Sequence, residues 1–193
     1  MDGAHSFAQL DYKIPDLGCD YFGTSLHKWL CAPIGSGMMY IKKEKIAKIW
    51  PHLAAEKPES DDIRKFEALG TRSFAIEQAI GKAIDMHLLI GAERKRERLF
   101  FLKNYWAEQV AQIPGVTVHT SFKKAFSGAI GLVSVEGKKP EELDSFLFEK
   151  AKIHTVGINW EKVHGVRVTP NVYTQLRELD KLVATIKKFA EIH

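Results

Sequence analysis

Gly23-Thr24-Ser25-Leu26-His27-Lys28-Trp29 is the stretch on which the fold is decided. The apolar run Asp20–Leu26 reads as a buried strand, and a lysine follows its end. Next comes a Gly/Pro loop, Ala32-Pro33-Ile34-Gly35-Ser36-Gly37, which feeds a second apolar run, Gly37-Met38-Met39-Tyr40-Ile41. Two such strands suit a sheet covered on both faces. A lysine past the end of an apolar strand, before a Gly-rich turn, stands where ligands bind in α/β sheets. There its amine can form an imine with an aldehyde cofactor. The competing reading is a strand-end lysine in water, and S-x-H-K alone favours that one.

Working outward, Asp2-Gly3-Ala4-His5 sets an acid and an imidazole three residues apart. The acid can pair with a buried cation, such as a protonated pyridine nitrogen, or can simply start a turn. Downstream, residues 51–63 carry breakers and four acids and read as a surface loop. From Ser73, a plausible N-cap, the period becomes helical, with Ile76, Ala79, Ile80, Ala83, Ile84, His87 and Leu88 on one face. After Gly91, Leu99, Leu102, Trp106, Val110 and Ile113 predict a second helix, stopped by Pro114-Gly115. Val116–Thr120 and Ala129–Glu136 read as strands. Pro140 with Glu141 and Glu142 starts a helix that buries Leu143, Phe146 and Leu147. Ile153–Ile158 and Gly165–Thr169 read as strands, and Leu176, Leu179, Leu182, Val183, Ile186 and Phe189 stripe a last helix. This second half is expected to be a compact α+β unit.

Composition bounds the function. At roughly 150 residues per domain, 193 residues make one domain or slightly more. A 45% hydrophobic and 27% charged chain with 14 Gly and 7 Pro is globular, not fibrous or low-complexity. A net charge of +4 falls short of the charge density of a nucleic-acid binder. The runs Arg94-Lys95-Arg96 and Lys42-Lys43 have Glu97 and Glu44 beside them and read as solvated faces. Cys19 and Cys31 form neither a CxxC nor a zinc pattern, so no disulfide framework and no metal are expected. Met1–Ser6 lacks a signal-peptide pattern, and no apolar run is long enough to cross a membrane. The expected location is cytoplasmic. His119, His154 and His164 are given no role, and Trp106 and Trp160 are expected in the core or an interface.

Four motifs together say more than each alone. Asp2-Gly3-Ala4-His5, Ser25-Leu26-His27-Lys28-Trp29, Gly70-Thr71 and Arg167 in Val166-Arg167-Val168-Thr169 resemble, in order and rough spacing, the class V aminotransferase family of fold-type I pyridoxal-phosphate enzymes. The DGAH and LHKW stretches are similar to its isopenicillin-N-epimerase-like branch. The resemblance runs on through Tyr173-Thr174 and Leu179-Asp180-Lys181-Leu182-Val183. It implies an α/β fold: residues 1–88 as the C-terminal part of the large cofactor domain, carrying the Schiff-base lysine, and residues 89–193 as the small α+β C-terminal domain. It implies pyridoxal 5'-phosphate as cofactor and an amino acid as substrate. Lys28 would bear the cofactor and move the Cα proton, Asp2 would bind the pyridine nitrogen, and His5 would contact the ring oxygen. Ser25 and His27 would hold phosphate oxygens. Gly70 and Thr71 would reach the phosphate of the other subunit of a homodimer. Arg167 would grip the substrate carboxylate as a two-donor fork. Strand alternation alone gives a plainer picture, with Val166 and Val168 inward and Arg167 outward.

The sequence also departs from the family. Members carry roughly as much chain again before the DGAH stretch, so this is expected to be the C-terminal half of such an enzyme. Either it is the catalytic half, with a separate N-terminal half as a possible partner, or it is a non-catalytic remnant or partner-binding subunit. Desulfurases of the family need a cysteine ahead of the substrate arginine. None occurs after Cys31, so that reaction is not expected. Transamination, epimerisation and elimination share one carbanion, and nothing in the sequence separates them.

Overall fold

The computed structural model describes residues 1–192. It forms two compact units, Met1–Ala92 and Glu93–His193.

The first unit contains β1 (Tyr21–Ser25), β2 (Gly37–Ile41), α1 (Lys43–Ile46) and α2 (Phe74–Ile90), with short 3-10 turns at Ile14–Leu17 and Ile63–Glu67. β1 and β2 pair antiparallel, Tyr21 opposite Ile41 and Ser25 opposite Gly37. The two-residue period sends Phe22 and Thr24 inward, and Leu26 continues the pattern past the strand end. A parallel bridge between Asp2 and Gly23 adds the N-terminal segment to the other side of β1. Of the basic pair, Lys43 is exposed as expected while Lys42 is half-buried, and acids hold both: Lys42 and Lys45 reach Asp20 at 3.1 Å, and Lys43 reaches Asp61 at 2.8 Å.

Lys65 has no counterpart in the sequence reading. It is buried, and its Nζ donates to the carbonyls of Ile46 and Pro58, both at 2.8 Å. A buried ammonium is tolerable only with such partners, and this one ties the loop before the second 3-10 turn to α1. In α2 the expected helix is present, with Ser73 at the N-cap position, although its side chain makes no capping bond. The expected buried stripe is not: Ala83 is the only buried residue, while Leu88 is 70% and Leu89 85% exposed. The period forms the helix, but the first unit supplies little surface to cover it.

The second unit contains α3 (Ala92–Val110), β3 (Val116–Val118), β4 (Gly131–Val135), α4 (Pro140–Ala151), β5 (Val156–Trp160), β6 (Val163–Val168) and α5 (Leu176–Ala190). Its sheet has the order β3-β4-β6-β5, with every pair antiparallel. An antiparallel sheet under a helical layer is the α+β arrangement expected. Leu102, Trp106 and Val110 of α3, Leu143 and Leu147 of α4, and Leu179, Leu182, Ile186 and Phe189 of α5 share one core with Val133, Val166 and Val168. Each such side chain contributes about 1.5–3 kcal/mol on burial. Trp106 lies against β4 so closely that a Cβ at Gly131 would fall 2.4 Å from its ring. Trp160 takes the opposite course and is exposed.

Two helices start on acids that accept from the backbone, Glu142 from Lys139 N–H at 2.9 Å and Glu178 from Gln175 N–H at 2.7 Å. β5 begins later than the apolar run from Ile153 suggests. Lys152 adopts a left-handed conformation, φ 57°, and the Lys152 and Ile153 N–H groups close the end of α4 on Phe148 and Leu147. The solvated face expected of Arg94-Lys95-Arg96 also needs correction: Arg94 is exposed, but Lys95 is buried. A helix rotates each residue by about a quarter turn or more, so three basic neighbours cannot share one face. Lys103 is buried as well, between the Phe100 and Phe122 rings, and donates to Ser121 O at 2.8 Å. Burial pulls its ammonium below the ordinary lysine value. None of the described helices is long and apolar enough to cross a membrane.

Candidate active site

The Lys28 turn is shaped by what it buries. Leu26, Trp29 and Leu30 point inward. The turn closes on itself through Ala32 N–H to Leu26 O at 3.2 Å, and it joins the approach to β2 through Leu26 N–H to Ser36 O at 3.1 Å. Cys31 takes a left-handed conformation to make the return, φ 63°. With its neighbours buried, Lys28 remains half-buried at the edge of the turn.

The Asp2–His5 segment is brought to the same place by β1. Gly3 N–H donates to Gly23 O at 2.7 Å, and Gly23 N–H donates to Met1 O at 3.0 Å. Gly3 O accepts from the Ser6 and Phe7 N–H groups and from Thr24 Oγ1 at 3.2 Å, which turns the chain back. The position admits only glycine, because a Cβ would fall 2.0 Å from Cζ of Phe22. Asp2 Oδ1 accepts from Ala4 N–H at 2.8 Å, and Gln9 Nε2 donates to His5 O at 2.6 Å. Asp2 and His5 are thereby fixed in backbone position beside the lysine turn.

The result is a cluster. Lys28 Nζ lies 3.2 Å from His5 Nε2, and Trp29 Nε1–H donates to His5 Nδ1 at 3.4 Å. Ser25, at the end of β1, and His27 are half-buried just ahead of the lysine. His27 Nδ1 is buried and has no hydrogen-bond partner among the described residues. Lys28 and His5 are thus brought together directly, and Asp2, Ser25 and His27 sit on the same strand and its immediate neighbour. Gly70 and Thr71 are exposed, on the stretch before α2. Sequence reading quoted Trp29 within a motif but missed its contact with His5, and it gave Thr24 no part. The signal for Thr24 was its inward place in the alternation of β1.

Arg167 belongs to the second unit. It sits near the C-terminal end of β6, opposite Leu132 of β4 and Val156 of β5. Val166 and Val168 face the core, so Arg167 lies on the other face of the sheet, as alternation requires. That face does not leave it in water: Arg167 is half-buried, and its Nε is buried with no partner among the described residues. A buried guanidinium nitrogen without an acceptor is an unmet donor. No cluster of three or more His, Cys, Asp or Glu side chains that could hold a metal occurs among the described residues.

Isopenicillin N epimerase of Streptomyces clavuligerus is 28% identical over 201 residues, covering 94% of this chain and 50% of that protein. The apo cysteine desulfurase of Thermococcus onnurineus NA1 superposes with a TM-score of 0.85 at 19% identity, over 98% of this chain and 52% of the other. A variant of C-DES with glycine covalently linked to its PLP cofactor superposes with a TM-score of 0.78 at 20% identity, over 99% and 51%. The chain thus spans about half the length of the curated relatives it matches, and it has the α/β fold of the fold-type I pyridoxal-phosphate enzymes. The aminotransferase class-V family model matches residues 1–181, and the chain therefore belongs to that family.

Proposed function

We propose that this chain is the C-terminal half of a pyridoxal-phosphate enzyme that acts on the Cα of an amino acid, and that Lys28 is its catalytic lysine. The observation that carries the reading is the Lys28–His5 contact at 3.2 Å, at the end of β1 and beside the Asp2 segment. The side chains present fit the cofactor. Asp2 uses Oδ1 on a backbone N–H and has a second oxygen for a protonated pyridine nitrogen. His27, two residues after Ser25, brings a buried ring nitrogen with no partner among the described residues, which suits a phosphate oxygen. When bound, pyridoxal phosphate supplies the electron sink that stabilises negative charge at the substrate Cα.

The remaining work falls to the chain's own groups. Asp2 holds the proton on the ring nitrogen by charge. Ser25 and His27 fix the phosphate, and His5 contacts the ring oxygen. Lys28 Nζ takes the proton from the substrate Cα and returns it. Arg167 binds the substrate carboxylate with its fork of N–H donors, which the unmet Nε donor favours. Gly70 and Thr71 reach the phosphate of a second subunit, and the remaining half of the enzyme completes the site. The reaction is transamination, epimerisation or elimination. Desulfuration is disfavoured because no cysteine follows Cys31. The expected location is cytoplasmic. A second reading, a subunit whose main task is to bind its partner half, is favoured by one observation: the apolar residues Phe74, Leu88 and Leu89 of α2 are largely exposed.

The experiment is reductive labelling. Pyridoxal phosphate added to the chain gives visible absorbance, borohydride fixes it on Lys28, and Lys28→Ala abolishes the signal. Labelling scattered over surface lysines such as Lys42 and Lys123 would defeat the catalytic reading and leave the partner-binding one.

A further inference from the structure

The sheet of the second unit has two unlike faces. One carries Val133, Val166 and Val168 into the core, and Gly157 lies on that side, where a Cβ would fall 3.7 Å from Pro140 of α4. By the two-residue period, Leu132 of β4, Val156, Ile158 and Trp160 of β5, and Val163 and Arg167 of β6 belong to the other face. An antiparallel sheet with one face on a core usually turns a polar face outward. This outer face is instead apolar around one guanidinium. Val156 is 38%, Val163 48% and Trp160 73% exposed, while Leu132 and Ile158 are half-buried.

The register gives that guanidinium no acid. Directly across the sheet it meets Leu132 and Val156, and two places away along its own strand stand Gly165 and Thr169. Directly opposed residues have Cβ atoms about 4.5–5.5 Å apart, so Leu132 and Val156 flank the root of the arginine side chain. Leu132 leans over Gly165, where a Cβ would fall 3.3 Å from its Cγ. The Arg167 Nε is buried and has no partner among the described residues. An unmet cationic donor calls for an anionic group. The aliphatic side chains beside it disfavour a second charge, which would lose water there and gain no partner.

We propose that this outer face selects the substrate class: an amino acid with an apolar side chain, its carboxylate on Arg167 and its side chain against Val156, Leu132 and Ile158. The inference rests on the reading of Arg167 as the carboxylate-binding residue. Each methylene-sized group buried on the strip is worth about fourfold in affinity. An acidic or basic side chain gains none of this and sheds its water on a surface that offers no acceptor or donor in return.

The test uses the full chain and simple carboxylates, so it needs no cofactor. The probes are acetate, 4-methylpentanoate and succinate, the last ending in a second carboxylate. Proton–nitrogen correlation of the arginine Nε–H groups follows Arg167, and Arg167→Lys identifies its signal. Carbon-13 methyl signals follow Leu132, Val156 and Ile158. The expected result is that 4-methylpentanoate shifts the Arg167 Nε–H and these methyl signals together. It is expected to bind about tenfold more tightly than acetate or succinate, the weight of roughly two buried methylene groups. Val156→Thr combined with Ile158→Thr adds hydroxyls on the open face, and the preference is expected to fall to about threefold or less. Equal affinities, methyl signals that stay still, or a preference undiminished in the double variant overturn the proposal and leave Arg167 as a carboxylate binder. An Arg167 Nε–H signal that answers none of the carboxylates overturns that reading of Arg167, and the inference with it.

Discussion

The unit Glu93–His193 packs three long helices over four strands, so its apolar stripes meet one another. The unit Met1–Ala92 has two strands and one long helix, and that helix buries only Ala83. Both halves were written with helical periodicity of similar clarity. The difference is that a stripe needs a facing surface, and a two-stranded sheet offers little of one. The chemistry divides the other way. The lysine, acid and imidazole lie in the unit with the smaller core, on turns positioned by a single strand. The candidate site is thus held by a few backbone hydrogen bonds and one buried ring, without a large core beneath it.

The largest test of this contrast is to separate the units. Residues 93–193 alone are expected to fold cooperatively, with a single urea transition. In the full chain, residues 1–70 are expected to be the first cut by protease. Equal protection along a proteolysis time course would erase the distinction. The same leucine deletion in two places comes next. Leu182→Ala, in the core of the second unit, is expected to cost about 2–5 kcal/mol in urea unfolding. Leu89→Ala, on the exposed side of α2, should stay within about 0.5 kcal/mol. A matching loss at Leu89 would mean that α2 is covered in solution.

Overpacking sharpens the comparison further. Gly131→Ala pushes a methyl into the Trp106 ring and is expected to cost about 1–3 kcal/mol of global stability. Gly3→Ala pushes one into Phe22, and its main effect is expected at the site, as loss of Lys28 labelling, because it displaces the Asp2–His5 turn. If Gly3→Ala lowers stability while labelling is kept, the site does not depend on that close approach. The smallest effect is electrostatic. The Arg64 guanidinium and its backbone N–H hold the Asp62 carboxyl down to about 2. Its folded value is depressed, so its contribution is present above the unfolded value of about 3.9 and is lost as pH falls through about 2. The pair is exposed, so the effect on stability is small. A carbon-13 carboxyl titration reads it directly, and Arg64→Ala should return Asp62 to the ordinary range.

Much of this molecule was legible in its residues. Local patterns depend on neighbours a few positions apart, and the sequence carries them. The boundaries of β2, the start of α4 at Pro140 and the stripe of α5 all fall where periodicity and capping place them. The family was legible too, because four short motifs kept their order and rough spacing. The buried lysines were not legible. Lys65, Lys95 and Lys103 read as solvent-facing by type, and the acceptors of Lys65 and Lys103 are carbonyls 7 to 19 residues away. Nor could the sequence say which stripes would be covered, since the pattern of α2 is a promise of burial that only a facing surface keeps. The contact between Trp29 and His5 spans 24 residues and exists because β1 bridges to the Asp2 segment while the turn after it buries Trp29. Sequence by itself determined which side chains are candidates for the site. Tertiary structure decided which nitrogen faces which, because hydrogen-bond direction depends on distances of a few ångströms between groups that the chain brings together only when folded.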